Sequence, residues 1–149
     1  MITIRIYDKD AIKQLLASVW DNSIHSGDLS AFTPIVDNLN CWVIVSDYVN
    51  IVGIAYIQQI TSITVELHSY LLSKKGKGRE MNISILKYLL SLGAKKVNVS
   101  IPTKYKATYN TAKKIGFKDE GLERLSFTDG ETIYDRFKLG ITAQEIEGI

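Results

Sequence analysis

Cysteine is almost absent from this chain of 149 residues: Cys41 is the one thiol, so no intrachain disulfide framework can form. Histidine is nearly as scarce, and one thiol with two imidazoles, His25 and His68, offers no metal-ligand cluster. No apolar run is long enough to span a bilayer, and the first ten residues read as a strand start rather than a signal peptide. Excess charge is small, +2 with a sequence pI near 8.6, too mild to argue for nucleic acid from charge alone. Internal repeats, low-complexity runs and linker-like stretches are also missing. What is left is 46% hydrophobic and 23% charged, an ordinary globular composition. The simplest expectation is one domain over residues 1–149, large enough to bury a core, in a reducing, cytoplasmic setting.

The most informative stretch runs from Ser62 to Leu92. It reads as an apolar strand, a basic glycine-containing turn, then an amphipathic helix with Met81, Ile83, Leu86, Leu89, Leu90 and Leu92 on one face. Gly76 and Gly78 stand where strand gives way to helix, where a ligand could approach the backbone closely. The first turn of a helix has unpaired N–H groups and a partial positive charge, and Lys74, Lys75, Lys77 and Arg79 add full charges beside it. A phosphate-bearing ligand suits such a place. The spacing excludes two common phosphate patterns: the P-loop needs four residues between its glycines and then Lys-Ser/Thr, and the dinucleotide fingerprint needs a third glycine where Met81 stands. As an isolated signal, a Gly- and Lys-rich turn is more often a solvated connection.

The remaining chain alternates in an orderly way. Thr3–Tyr7 reads as a strand, followed by a helix capped by Asp8 or Asp10 with Ile12, Leu15, Leu16, Val19 and Trp20 on one face. The run 25–28 reads as a loop, and a second short helix is expected over Asp28–Asn38, interrupted by Pro34. Cys41–Ser46, Ile51–Gln58 and Ile63–Leu71 predict three consecutive antiparallel strands. Gly93 stops the central helix, Lys95–Ile101 reads as a strand, and Pro102-Thr103 opens a further helix ending at Lys113-Lys114-Ile115-Gly116. Leu122–Phe127 and Thr132–Leu139 form a hairpin around Asp129-Gly130.

Ser73-Lys74-Lys75-Gly76-Lys77-Gly78, between strand and helix, resembles the pyrophosphate loop of the GNAT N-acetyltransferase family, with Ser73 where Gln or Arg is usual. The order of elements resembles that family along nearly the whole chain. A second local likeness is 112–121, where a helix end, Gly116-Phe117 and Glu120-Gly121 follow the family's entry into its sixth strand. The style of the chain, with Glu66 and His68 before the turn, is most like phage-encoded GNAT-like proteins. The resemblance implies an α+β fold, a mixed and mostly antiparallel central sheet with helices on both faces. It implies acetyl-CoA or another acyl-CoA, bound through backbone amides at Gly76–Arg79 with Lys74, Lys75, Lys77 and Arg79, the pantetheine arm pairing with Tyr70, Leu71 and Leu72. The region around 25–38 would close over an amine acceptor. A protein partner, a homodimer and, for a phage-encoded chain, the host cytoplasm are compatible with it.

Glu66 and His68 alternate on one strand, so they share a face just before the turn, and either could serve as general base with the other tuning it. The bland alternative is that both merely line a solvated strand face. The Tyr that often acts as general acid in the family aligns with Ala112; Tyr109 is the nearby candidate proton donor, against the plainer reading of a packing or rim tyrosine. Cys41 beside Trp42 reads as core filler, and His25 as surface. Two functions stay open: an N-acyltransferase acting on a small-molecule or protein amine, and a GNAT-shaped protein without catalysis that binds, assembles or modulates a partner. Nucleic-acid binding by the basic turn is weaker, since no aromatic stacking platform surrounds it.

Overall fold

A computed structural model describes residues 1–20, 28–37, 40–73 and 76–149. Strand β1 (Ile2–Ile6) leads into α1 (Lys9–Leu16), whose N-terminus is capped by Asp8 Oδ1 accepting from Asp10 N at 3.0 Å and Ala11 N at 3.3 Å. Strands β2 (Asn40–Ser46) and β3 (Ile51–Gln59) are joined by a turn in which Asp47 Oδ1 accepts from Val49 N and Asn50 N. Then come β4 (Thr64–Leu71), α2 (Gly78–Ser91), β5 (Lys96–Pro102), α3 (Lys106–Ile115), β6 (Lys118–Thr128), β7 (Ile133–Thr142) and α4 (Ala143–Glu147).

The strands form one sheet in the order β1-β2-β3-β4-β5-β7-β6, antiparallel except for β4 beside β5. Period-two alternation sends each strand's side chains to two cores. On one face, α1 places Ile12 and Leu16 over Trp42 and Ile54. On the other, α2, α3 and α4 pack Met81, Ile85, Leu86, Leu89, Ala112, Ile115 and Ile146 over Val43, Ala55, Leu67, Val97, Leu139 and Ile141. Gly53 is required where α2 begins: a Cβ there would stand 2.1 Å from Met81 Sδ and 2.7 Å from the Tyr70 carbonyl oxygen.

Four expectations need correction. The helix expected over Asp28–Asn38 is, in its described part, only a 3₁₀ turn at Leu29–Ala31 capped by Asp28; Pro34 lacks the N–H a helix needs and disfavours helical geometry before it. Helix α3 starts at Lys106 rather than Pro102-Thr103, because Pro102 closes β5 and Thr103 N still donates to Asp135 O at 2.9 Å. The buried stripe of α2 is Met81, Ile85, Leu86 and Leu89, while Leu92 is the exposed C-cap. Helix α4 was not expected, although Thr142 and Glu145 form a capping box that starts it.

Candidate active site

Among the described residues one strand pair is parallel, and it is short. Strands β4 and β5 are in register only over Thr64↔Lys96, Val65↔Val97 and Glu66↔Asn98, and beyond Glu66 they part. From Leu67 to Leu71 β4 pairs with β3 alone, and from Val99 to Pro102 β5 pairs with β7 alone, so a cleft opens in mid-sheet. The backbone alternation in β4 follows from its ends: Ile60 N donates to Thr64 O at 2.9 Å and Leu72 N to Val52 O at 2.8 Å. Even-numbered residues therefore turn their backbone groups to β3, and Ser69 and Leu71 turn theirs into the cleft. Of residues 70–72, named from the sequence, Leu71 turns its backbone groups into the cleft. The backbone groups of Tyr70 and the N–H of Leu72 face β3.

The basic turn leads from the end of β4 to the N-terminus of α2. Gly76 has φ +101°, which a residue with a Cβ rarely adopts. Lys77 is the N-cap and makes no side-chain capping bond, and the first helical bond to it comes from Met81 N at 3.0 Å. The N–H groups of residues 78–80 have no acceptor within the helix. A Cβ on Gly78 would find nothing nearer than Leu71 Cδ2 at 4.0 Å, so packing does not demand glycine there. A bare backbone at a helix start, flanked by Lys77 and Arg79, fits a pyrophosphate. Lys74, Lys75 and His25, named from the sequence, lie outside the described residues.

Glu66 and His68 lie on the same face of β4, with His68 Nε2 3.6 Å from Glu66 Oε1. Their side chains are 20% and 37% exposed respectively, so both reach the open space beyond the α1 core. The imidazole stacks on Tyr56 of β3 at 5.9 Å between ring centroids, and Tyr56 donates to Asn40 Oδ1 at 2.8 Å. Burial pushes the His68 pKa below its ordinary value; Glu66 opposes the shift, and Arg136 and Lys138 reinforce it. A neutral imidazole near pH 7 is the form that can accept a proton.

Sequence reasoning did not find what surrounds this pair. Ser100 on β5 donates to Glu66 Oε1 at 3.4 Å and accepts from Lys138 Nζ of β7 at 2.7 Å. Glu123 of β6 takes Arg136 Nη2 at 2.6 Å and Lys138 Nζ at 3.5 Å. The signal was present as polar residues at alternate positions of a buried strand, Asn98 and Ser100 between Val97, Val99 and Ile101.

Tyr109 is elsewhere. Its ring packs on Phe137 at 4.4 Å on the α3 face, and its hydroxyl donates to Asp119, which also binds Lys113 at 2.7 Å. The Asp119 hydrogen bond raises the Tyr109 pKa. Glu66 and His68 occupy the opposite face of the sheet, so the structure does not bring Tyr109 to them. Ala112, at the family's usual tyrosine position, is core. Cys41 is buried, as expected, and burial raises its pKa. Among the described residues no group of three or more His, Cys, Asp or Glu is placed to hold a metal, and no helix is long and apolar enough to cross a membrane.

No protein-family model and no curated protein matches the sequence. Solved structures do match. A spermidine N-acetyltransferase from Vibrio cholerae in complex with CoA and spermine superposes with TM-score 0.80 at 17% identity, covering 97% of this chain and 96% of that one. A chimera of that protein with hSSAT gives 0.82 at 17% identity, covering 99% and 98%. The dodecameric structure in an intermediate state gives 0.76 at 15%, covering 96% and 94%. None of these supports the narrower likeness to phage-encoded proteins. At such identities the likeness is one of backbone: over nearly its whole length, the chain has the GNAT fold.

Proposed function

We propose that this chain is an acyl-CoA-dependent N-acyltransferase, taking acetyl-CoA or another acyl-CoA as substrate and passing the acyl group to an amine of a small molecule or a protein. One observation carries the proposal. The cleft opened by the parting of β4 and β5 has a helix start with a bare, basic backbone at one end and an imidazole beside a carboxylate at the other. A neighbour solved with CoA and an amine, spermine, supports an acyl-CoA and an amine as the two substrates.

In this proposal the pyrophosphate rests on the amides of Gly76, Lys77, Gly78 and Arg79, with Lys74 and Lys75 adding charge. Backbone groups of Ser69 and Leu71 pair with the pantetheine arm and donate to the thioester oxygen. The amine nitrogen attacks the carbonyl carbon, the C–S bond breaks, and the proton taken from the amine by His68 balances the one needed by the departing thiolate. Holding the two reactants together supplies most of the rate, on the order of 7–11 kcal/mol for well-oriented reactants. The base adds about 10²–10⁴-fold. Glu66, 3.6 Å away, favours the charged form of the imidazole once the proton arrives.

The test is thiol release from acetyl-CoA with a panel of amines, with product mass recorded. Amine-dependent thiol release with a matching acetylated product is expected; none with any amine at saturating acetyl-CoA contradicts catalysis.

A GNAT-shaped binding protein without catalysis is the second reading, and Ala112 favours it, since the usual proton donor is replaced by a core residue. We further propose self-association: one neighbour is described as dodecameric, and light scattering on the purified protein reads the mass directly.

A further inference from the structure

The wall facing Glu66 and His68 is unusual in its charge. Alternation places Asn98 and Ser100 of β5 and Arg136 and Lys138 of β7 on the cleft face, with Ser100 opposite Lys138 and Asn98 beside Glu66 in register. Lys138 stands two hydrogen bonds from the Glu66 carboxylate, through the Ser100 hydroxyl at 2.7 and 3.4 Å. Lys138 and Arg136 lean on the same single carboxylate, Glu123, so among the described residues this wall carries one positive charge in excess. The two side chains are 37% and 28% exposed, so both remain accessible to solvent. Both also lower the pKa of His68, so their field reaches the site where the amine would lose its proton. On the other side of the space stands the Glu66 carboxylate, 20% exposed, an acceptor for an amine N–H.

The site is thus two-sided, with an acceptor at Glu66 and cations at Lys138 and Arg136 a short span away. Resting on the acyltransfer reading above, we infer that the acceptor is an amine bearing a carboxylate a few carbons from its reactive nitrogen, the carboxylate received by Lys138 and Arg136. A second ammonium at that point would face the excess positive charge and is disfavoured.

Three acceptors of one length separate the possibilities: 4-aminobutyrate, butylamine and 1,4-diaminobutane, which carry a carboxylate, a methyl and an ammonium at the far end. With the full-length protein and acetyl-CoA, 4-aminobutyrate should show a kcat/KM at least about tenfold above butylamine, with 1,4-diaminobutane lowest, the gain expected of one charge-assisted contact. In Lys138→Met the ratio of 4-aminobutyrate to butylamine should fall toward one, and Lys138→Glu should turn the preference toward the diamine. A diamine preferred by the wild-type protein, or a ratio untouched by Lys138→Met, overturns the inference while leaving acyltransfer standing. If CoA binds and nothing turns over, equilibrium dialysis of the three amines against the CoA-loaded protein reads the same preference, and equal binding overturns the inference. Absence of both CoA binding and turnover overturns the acyltransfer reading and this inference with it.

Discussion

His68 Nε2 stands 3.6 Å from Glu66 Oε1, one strand alternation away on β4. That is too long for a direct hydrogen bond and right for an ion pair that forms when the imidazole takes a proton. With Tyr56 stacked on its other side, the ring is held at the mouth of the cleft. In the proposed chemistry the base acts on the amine and leaves CoA binding to the turn.

His68→Ala should therefore lower kcat by about 10²–10⁴-fold with acetyl-CoA affinity within a few fold of wild type. Glu66→Gln should also lower kcat, by less, since Glu66 stabilises the protonated base without itself taking the proton. Steady-state kinetics with a separate binding measurement checks this, and unchanged kcat in both variants removes the pair from the mechanism.

The pH dependence has a definite sign. Burial holds the native His68 pKa below its ordinary 6.5, so near that pH the unfolded chain binds the proton more readily than the native protein. The stability linked to His68 is fully present above that ordinary value and is lost as pH falls through the native one. The acid limb of kcat/KM should likewise lie below pH 6.5. An NMR titration of the imidazole reads the pKa directly, and titration at or above the ordinary value contradicts it.

The two glycines of the turn should respond differently. Gly78→Val has room beside Leu71, so the apo melting temperature should barely move while acetyl-CoA stabilisation is lost. Gly76→Ala must adopt φ near +101° and should cost about 1–3 kcal/mol whether or not ligand is present. Melting curves of both variants with and without acetyl-CoA distinguish ligand loss from strain.

Gly53→Ala tests how α2 is seated. Its Cβ would meet Met81 Sδ, which can move, and the Tyr70 carbonyl oxygen, which belongs to the sheet and cannot. A loss of about 1–3 kcal/mol is expected, or several degrees of melting temperature. No measurable change would mean that the start of α2 shifts freely over β3 and β4.

The fold was legible because most of its signals are local. Asp8, Asp47 and Gly93 mark a cap, a turn and a stop by their own side chains or backbone, and the strands alternate cleanly. The site was legible only where one strand carried it: Glu66 and His68 share a face by spacing alone. Ser100, Lys138, Arg136 and Glu123 come from β5, β7 and β6, and only sheet order brings them together, because β7 inserts between β5 and β6. Nothing local in Lys138 says that it will face Ser100. Helix α4 is a different case: Thr142 and Glu145 spell its capping box in the sequence, but the helix it starts is only five residues long and carries too little periodicity to stand out.

The central claim, that this cleft binds an acyl-CoA, is tested most directly by thermal melting with and without acetyl-CoA. At about 100 times its dissociation constant a ligand adds about 2.7 kcal/mol, a rise of several degrees for a chain of this size. A saturable rise of that order, lost in Gly78→Val, is the predicted result. An unchanged melting temperature across a thousandfold range of acetyl-CoA would contradict it.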